Sequence, residues 1–391
     1  MKEFSFALYR LPFDHTVTLV AQTEGLPQTV SSFDGLNGKQ GFVVAPFCVS
    51  EKQPILLIRP DVVRTCHQDD RDVLAAFFQE IGFEVPDTLM PAADIAHDKG
   101  RLEYSRLFKL FHCAVVERMF KKIVLARSAF YPFQSDAHDA TDAMCEQANP
   151  SCSLLDLFIK ACRRYPRMFV SLTVTPLSGV WITASPEMLL SGRESCWKTV
   201  AIAGTMPCAD NMVQPQDCTS QVQPLDCCES YPHISWSQKN MDEQRIVAAY
   251  IRQCLDSFSS EVEEVGPKTV RAANLFHLKS EFMFSLNDTE YIGSLIQDLH
   301  PTPAVCGIPK KLAQQFINDN ETYPRRFYSG FSGMLNYNCH TDLYVSLRCM
   351  SVENGGFRLY AGGGIMPDSD EQQEWLETEA KMQTMRNLFS F

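Results

Sequence analysis

The chain has 391 residues and 45% hydrophobic and 21% charged side chains, a globular composition that excludes a disordered or collagen-like chain. Asp plus Glu (47) exceed Lys plus Arg (35), for a net charge of −12. This speaks against a nucleic-acid binder, yet leaves room for an anionic small substrate held in a local cationic pocket.

Apolar runs such as 55–58 (ILLI) fall far short of the ~20 residues a spanning helix needs. Lys2, Glu3, Arg10 and Asp14 interrupt any apolar signal core, so no membrane association is expected and the expected compartment is the cytoplasm. The 15 cysteines are scattered singly except Cys227 and Cys228, with no CxxC, which points to free thiols rather than a disulfide framework or zinc site.

In chain order, an acidic patch at 69–72 precedes an expected helix at 73–83, and 86–100 reads as a loop. Apolar spacing predicts a helix over 101–122, followed by a strand at 122–133. A polar stretch, 134–151, leads to a helix at 154–165 and strands at 168–176, 179–185 and 199–207. Residues 208–235 read as a long surface loop before a helix at 240–258. Strands at 331–338, 342–350 and 357–365 and a helix at 371–389 complete the pattern. Strands adjacent in sequence indicate antiparallel sheet with helices packed outside, an α+β fold. The whole chain, 1–391, is expected to form one domain whose first hundred residues are a variable part.

Several polar groups stand where apolar ones are expected. Glu243 shares a helix face with Ile246 and Val247, although a capping box from Asn240 would also explain it. Glu374, Glu377 and Lys381 follow one flank of the last helix. Two carboxylates one turn apart can hold a hard cation, or Glu377 can simply pair with Lys381 on a solvated face. The glycines of 361–365 (AGGGI) let backbone amides approach an anion, or make a tight turn. Strand alternation can point one of Lys121 and Lys122 inward, where desolvation would fit it for proton abstraction, or both are simply solvated at the start of the strand. Glu187 is either a general acid in a cleft or part of a helix start opened by Ser185 and Pro186. Arg348, placed in a strand with Tyr344 and Ser346 on its face, suits carboxylate binding if it points inward. His277 and His300 read equally as core histidines.

Taken in order, 122–128 (KIVLARS), 182–190 (ITASPEMLL), 202–207 (IAGTMP), 240–247 (NMDEQRIV), 299–309 (LHPTPAVCGIP), 325–333 (RRFYSGFSG), 345–350 (VSLRCM) and 359–381 (LYAGGGI…EWLETEAK) resemble the chorismate-utilising enzyme family over about 119–391. The resemblance implies two stacked antiparallel sheets with helices outside and the site in the cleft between them. It implies chorismate as substrate and Mg²⁺ bridging it to Glu243 and Glu377, with Glu374 close by. It assigns Lys122 to activating a water that attacks C2, and Glu187 to protonating the departing C4 hydroxyl. Arg348, Tyr328, Lys381 and the Gly362 and Gly364 amides match carboxylate-holding positions, and His277, Gly204, Thr205 and Ala304 match other pocket positions.

Within the family, the resemblance favours the branch that isomerises chorismate to isochorismate for menaquinone, siderophore or salicylate formation. Anthranilate synthases carry glutamine where Lys122 stands, and many aminodeoxychorismate synthases carry lysine where Ala203 stands. No glutamine amidotransferase partner is therefore expected, and a monomer is the default. Salicylate synthases share the lysine, glutamic acid and metal set but tend to carry threonine at the Ala304 position. The chain departs from the family pattern at Asn240, near the metal set, and at Met206, where arginine is common.

Overall fold

The computed structural model describes residues 4–83, 87–88, 100–133, 152–208, 231, 234–286 and 291–389. The expected loops at 86–100, 134–151 and 208–235, with Cys227 and Cys228, lie almost wholly outside these residues.

Two nine-stranded sheets organise the described residues. The first runs Gly307–Ile308, Lys122–Pro132, Gly356–Ile365, Cys349–Glu353, Gly179–Ser185, Phe169–Thr175, Ser5–Arg10, Thr16–Gln22, Val62–His67. The second runs Val262–Ala272, Leu275–Ser285, Cys196–Pro207, Met188–Arg193, His340–Val345, Phe331–Tyr337, Gly41–Ala45, Ile55–Ile58, Gln28–Val30. Neighbouring strands pair antiparallel throughout, as the α+β expectation requires. Strands from the first seventy residues complete one edge of each sheet.

The sheets bury their inner faces against each other. Ala7, Val20, Phe169 and Trp181 of the first sheet pack on Phe42, Val44, Leu56 and Tyr344 of the second. The Phe169 and Tyr344 rings stack with centroids 4.4 Å apart. Outside the first sheet lie the helices Arg71–Ile81, Leu154–Arg164 and the end of Glu371–Arg386, through Leu74, Phe78, Phe158, Met382 and Met385. Outside the second lie Gln238–Leu255 and Ile292–Leu299, through Val247, Ile251, Leu255, Leu295 and Ile296. Each helix buries one stripe at helical spacing, and each sheet covers both faces.

Local chemistry accounts for many element ends. Ser153 caps Leu154–Arg164 in a full capping box with Asp156, its Oγ accepting from the Asp156 amide at 3.2 Å. The helix Arg101–Val116 stops six residues before the expected end, and Arg118 takes a positive φ of 62° in the turn that follows.

Three expectations are corrected. Ser237, not Asn240, caps Gln238–Leu255, accepting from the Asn240 amide at 3.2 Å; the helix starts earlier, so no Asn240–Glu243 capping box forms. Ser185 and Pro186 start no helix: Glu187 joins Gly179–Ser185 to the unforeseen strand Met188–Arg193. Residues 342–350 are not one strand. His340–Val345 belongs to the second sheet and Cys349–Glu353 to the first, so Arg348 lies in the link with a left-handed φ of 47°. The strands Val262–Ala272 and Leu275–Ser285 and the helices Ile292–Leu299 and Lys310–Asn320 were not foreseen either.

Candidate active site

Both links just described carry a charged side chain from one sheet to the other, and they lie side by side. The Val345 amide donates to the Glu187 carbonyl at 2.9 Å and the Ala184 amide to the Arg348 carbonyl at 3.0 Å. Sheet crossing thus puts an acid and a cation, 161 positions apart in sequence, at the same end of the inter-sheet space. An open cavity of about 630 Å³ lies there, lined by Glu187, Gly204, Thr205, Glu243, His277, Ala304, Tyr328, Arg348, Gly362, Gly364 and Lys381 among others. Eleven predicted site residues therefore line one cavity. Lys122, Glu374 and Glu377 stand just behind its lining.

Gly364 explains how Lys122 comes so near. A Cβ at this position would overlap Glu243 Oε1 and Lys122 Cε, so glycine permits both to pack against the strand. Lys122 is fully buried while Lys121 is exposed, as alternation predicts. Its Nζ lies 2.8 Å from Glu243 Oε1 but off hydrogen-bonding angles, and it finds no hydrogen-bond acceptor among the described residues. We therefore read the contact as an ion pair only.

The last helix adds a second set of pairs. Lys381 Nζ donates to Glu377 Oε1 at 2.6 Å and to the Gly362 carbonyl at 2.8 Å. This is the expected i,i+4 pair, but partly buried rather than on a solvated face, and it reaches the glycine strand. Glu374 accepts from Lys239 and, at 2.8 Å, from Ser369 Oγ. Burial and the neighbouring Glu377 charge raise the Glu374 carboxyl to about 7. Burial would raise Glu377 as well, but the Lys381 and Lys239 ammonium groups prevail and hold it below its ordinary value.

Glu187, His277 and Arg348 form a further buried set at the cavity. Burial pushes the Glu187 carboxyl up to about 7, against the pull of Lys122 and a long 3.3 Å contact from Thr302 Oγ1. His277 Nδ1 lies 3.0 Å from the Gly204 carbonyl and its Nε2 lies 3.0 Å from Arg348 Nη2. A guanidinium has only donors, so Nε2 accepts and Nδ1 carries the proton. Burial, then the Arg348 and Lys381 charges, lower His277 to about 3 and keep it neutral. Burial lowers Arg348 to about 10, which leaves it cationic at neutral pH. Gly204 makes this arrangement possible: it takes φ +68° at a bulge in the pairing of Cys196–Pro207 with Leu275–Ser285.

His300 lies outside the site, buried with its Nε2 3.3 Å from the Pro46 carbonyl, and burial lowers it to about 3. The sequence reading missed Lys239 and Thr302. Lys239 was findable, because it sits four residues before Glu243 and so shares its helix face.

The donor set fits a hard divalent cation in kind. Glu243, Glu374 and Glu377 offer carboxylate oxygens around Gly363 and Gly364, and a Cβ on Gly363 would come within 3.0 Å of Glu374 Oε2 and 3.6 Å of Glu377 Oε1. The carboxylates are drawn onto their lysines, and among the described residues no three acidic, histidine or cysteine groups close around one metal-sized point.

Known proteins bear on this geometry. A family profile described as chorismate binding enzyme matches residues 92–390. Isochorismate synthase MenF of Escherichia coli is 30% identical over 292 residues, 75% of this chain and 61% of that protein. Isochorismate synthase EntC of the same organism is 30% identical over 212 residues, 54% of this chain and 51% of that protein. The chain thus spans less than two thirds of the length of the curated relatives it matches. The solved structure of the menaquinone-specific isochorismate synthase MenF from Escherichia coli superposes with a TM-score of 0.71 at 21% identity, covering 100% of this chain and 89% of that one. With three quarters of its length matched by the family profile, the chain belongs to the chorismate binding enzyme family.

Proposed function

We propose that this chain isomerises chorismate to isochorismate. The observation that carries the reading is a buried lysine and a buried glutamic acid gathered at one cavity that also holds a buried arginine. Lys122 takes a proton from a water that attacks ring carbon C2. Glu187, whose carboxyl is raised to about 7, gives its proton to the C4 hydroxyl, because hydroxide is a poor leaving group. One water enters and one leaves, the ring double bonds shift, and no redox partner is needed. Water as nucleophile also removes any need for an ammonia-supplying amidotransferase subunit.

Arg348, fixed by His277 and by Thr384 Oγ1 at 3.1 Å, holds one substrate carboxylate, and the Tyr328 hydroxyl and the Gly362 and Gly364 amides assist. Lys381 adds positive charge at the same end. Glu243, Glu377 and Glu374 would hold Mg²⁺, which would supply positive charge to offset that of the substrate carboxylates. The relatives named isochorismate synthases support the reaction class.

The test is product analysis by chromatography after incubation with chorismate and Mg²⁺, with and without EDTA. Isochorismate alone, lost with EDTA, is the expected result. Salicylate with released pyruvate would move the chain to the lyase branch, and no turnover by folded protein would overturn the proposal.

A further inference from the structure

The strand that carries Lys122 has an incomplete outer edge. On one side it pairs with Gly356–Ile365 along its whole length. On the other, only the two residues Gly307 and Ile308 pair with it, at Ile123 and Lys122. The Val124 amide then reaches the Cys306 carbonyl at 2.7 Å, and past this point no strand continues the sheet among the described residues. Two side chains take over. Arg325 Nη2 donates to the Val124 carbonyl at 2.9 Å, and Glu321 Oε1 accepts from the Ala126 amide at 2.8 Å. These are the groups an edge strand would have bonded.

We propose that the Glu321–Arg325 pair is a positioning device for the reaction, replacing an edge strand so that the Lys122 side and the Ala304 side of the cavity keep a fixed separation. The inference rests on the proposed isomerase function. The pair is almost fully buried, its side chains 5% and 3% exposed, and is joined by Arg325 Nε to Glu321 Oε2 at 2.8 Å and Nη2 to Oε1 at 2.6 Å. Arg325 Nη1 donates to the Val305 carbonyl at 2.6 Å, which ties in the loop bearing Thr302 and Ala304. The Arg325 carbonyl accepts from the Tyr328 amide at 2.9 Å. The guanidinium also lies over the Phe47 ring, 4.4 Å from its centroid. One planar group thus ties the strand that carries Lys122 to the loop bearing Thr302 and Ala304, and the backbone of the same residue anchors the start of the Tyr328 turn. A lysine could not serve these acceptors at once. Neither Glu321 nor Arg325 lines the main cavity, so the pair acts through others.

The test compares Glu321→Gln and Arg325→Lys with the parent by steady-state kinetics, chorismate calorimetry and amide hydrogen exchange of 122–126. Glu321→Gln keeps size and an acceptor oxygen, so it carries the test if Arg325→Lys does not fold. A small displacement of reacting groups costs rate, so the expected result is a fall in kcat of about ten- to hundred-fold, larger in Arg325→Lys. Chorismate affinity stays within about three-fold, because carboxylate-holding groups are untouched. Exchange at Val124 and Ala126 speeds up in both variants. Unchanged exchange at these amides, or kcat within about two-fold of the parent whatever happens to Tm, would overturn the proposal. So would weaker binding with kcat preserved, the mark of a group that acts on substrate capture. If the parent itself forms no isochorismate, the proposed function fails, while the exchange measurement still decides whether the pair replaces a strand.

Discussion

The two walls of the cavity differ in what partners their buried carboxylates. On the wall built by Gln238–Leu255 and Glu371–Arg386, three carboxylates each have a lysine: Glu243 with Lys122, Glu374 with Lys239, Glu377 with Lys381. On the other wall Glu187 is buried with one long hydroxyl contact, and its carboxyl rises to about 7. Glu377, with a lysine at 2.6 Å, stays below its ordinary value despite its own burial. Glu374 has Lys239 as partner yet also rises to about 7, through burial and the Glu377 charge beside it, so burial and the charges of both signs around a carboxyl together decide whether it keeps a proton. Under the proposed function, the lysine-paired carboxylates serve cation and anion binding and Glu187 serves proton donation.

The contrast can be broken at its strongest point first. Lys122→Ala removes the base, and kcat should fall by about 10²- to 10⁴-fold while calorimetry still detects chorismate binding. Near-normal turnover would remove Lys122 from the chemistry. Glu187→Gln should cost a similar factor, and it sharpens the comparison through pH. The acid works only when protonated, so parent kcat should decline as pH rises through about 7. A raised folded pKa favours the folded state below the unfolded value, and that contribution is lost as pH rises through about 7. Glu187→Gln should therefore gain melting temperature relative to the parent at pH 8 but not at pH 4, as differential scanning calorimetry would read.

Glu377→Gln tests the paired wall. The Mg²⁺ concentration for half-maximal activity should rise by about ten-fold or more, and an unchanged titration would remove this residue from the metal set. The smallest effect concerns stability. His277 and His300 are lowered by burial to about 3, so their contribution is complete above the unfolded value near 6.5 and is lost as pH falls from there toward 3. His300→Asn should flatten the acid side of the Tm–pH curve without moving kcat.

Legibility followed the range of the interactions. Alternation singled out one lysine of the Lys121–Lys122 pair without saying which, a choice the family resemblance made, and helical spacing raised Glu243 and Glu377, because these patterns depend on neighbours in sequence. Arg348 was readable as an anion-binding candidate, but its place was not. The link from His340–Val345 to Cys349–Glu353 changes sheets, and a local window sees one apolar alternation through both. Glu187 met the same obstacle: Ser-Pro-Glu has the chemistry of a helix start, and only the second sheet turns it into a strand junction. Thr302 and the Glu321–Arg325 pair were missed because their partners lie on other segments: Glu187, Val124, Ala126 and Val305. The two unforeseen strands between 262 and 285 mix charged and apolar residues, since one of them forms an outer edge of its sheet.

The most direct measurement follows oxygen. Chorismate is converted in ¹⁸O-enriched water with Mg²⁺, and the isochorismate is weighed by mass spectrometry. Water activated by Lys122 and loss of the C4 hydroxyl assisted by Glu187 predict one ¹⁸O, located in the C2 hydroxyl. Unlabelled isochorismate would mean that the original hydroxyl is retained, and would contradict the division of labour between the two walls.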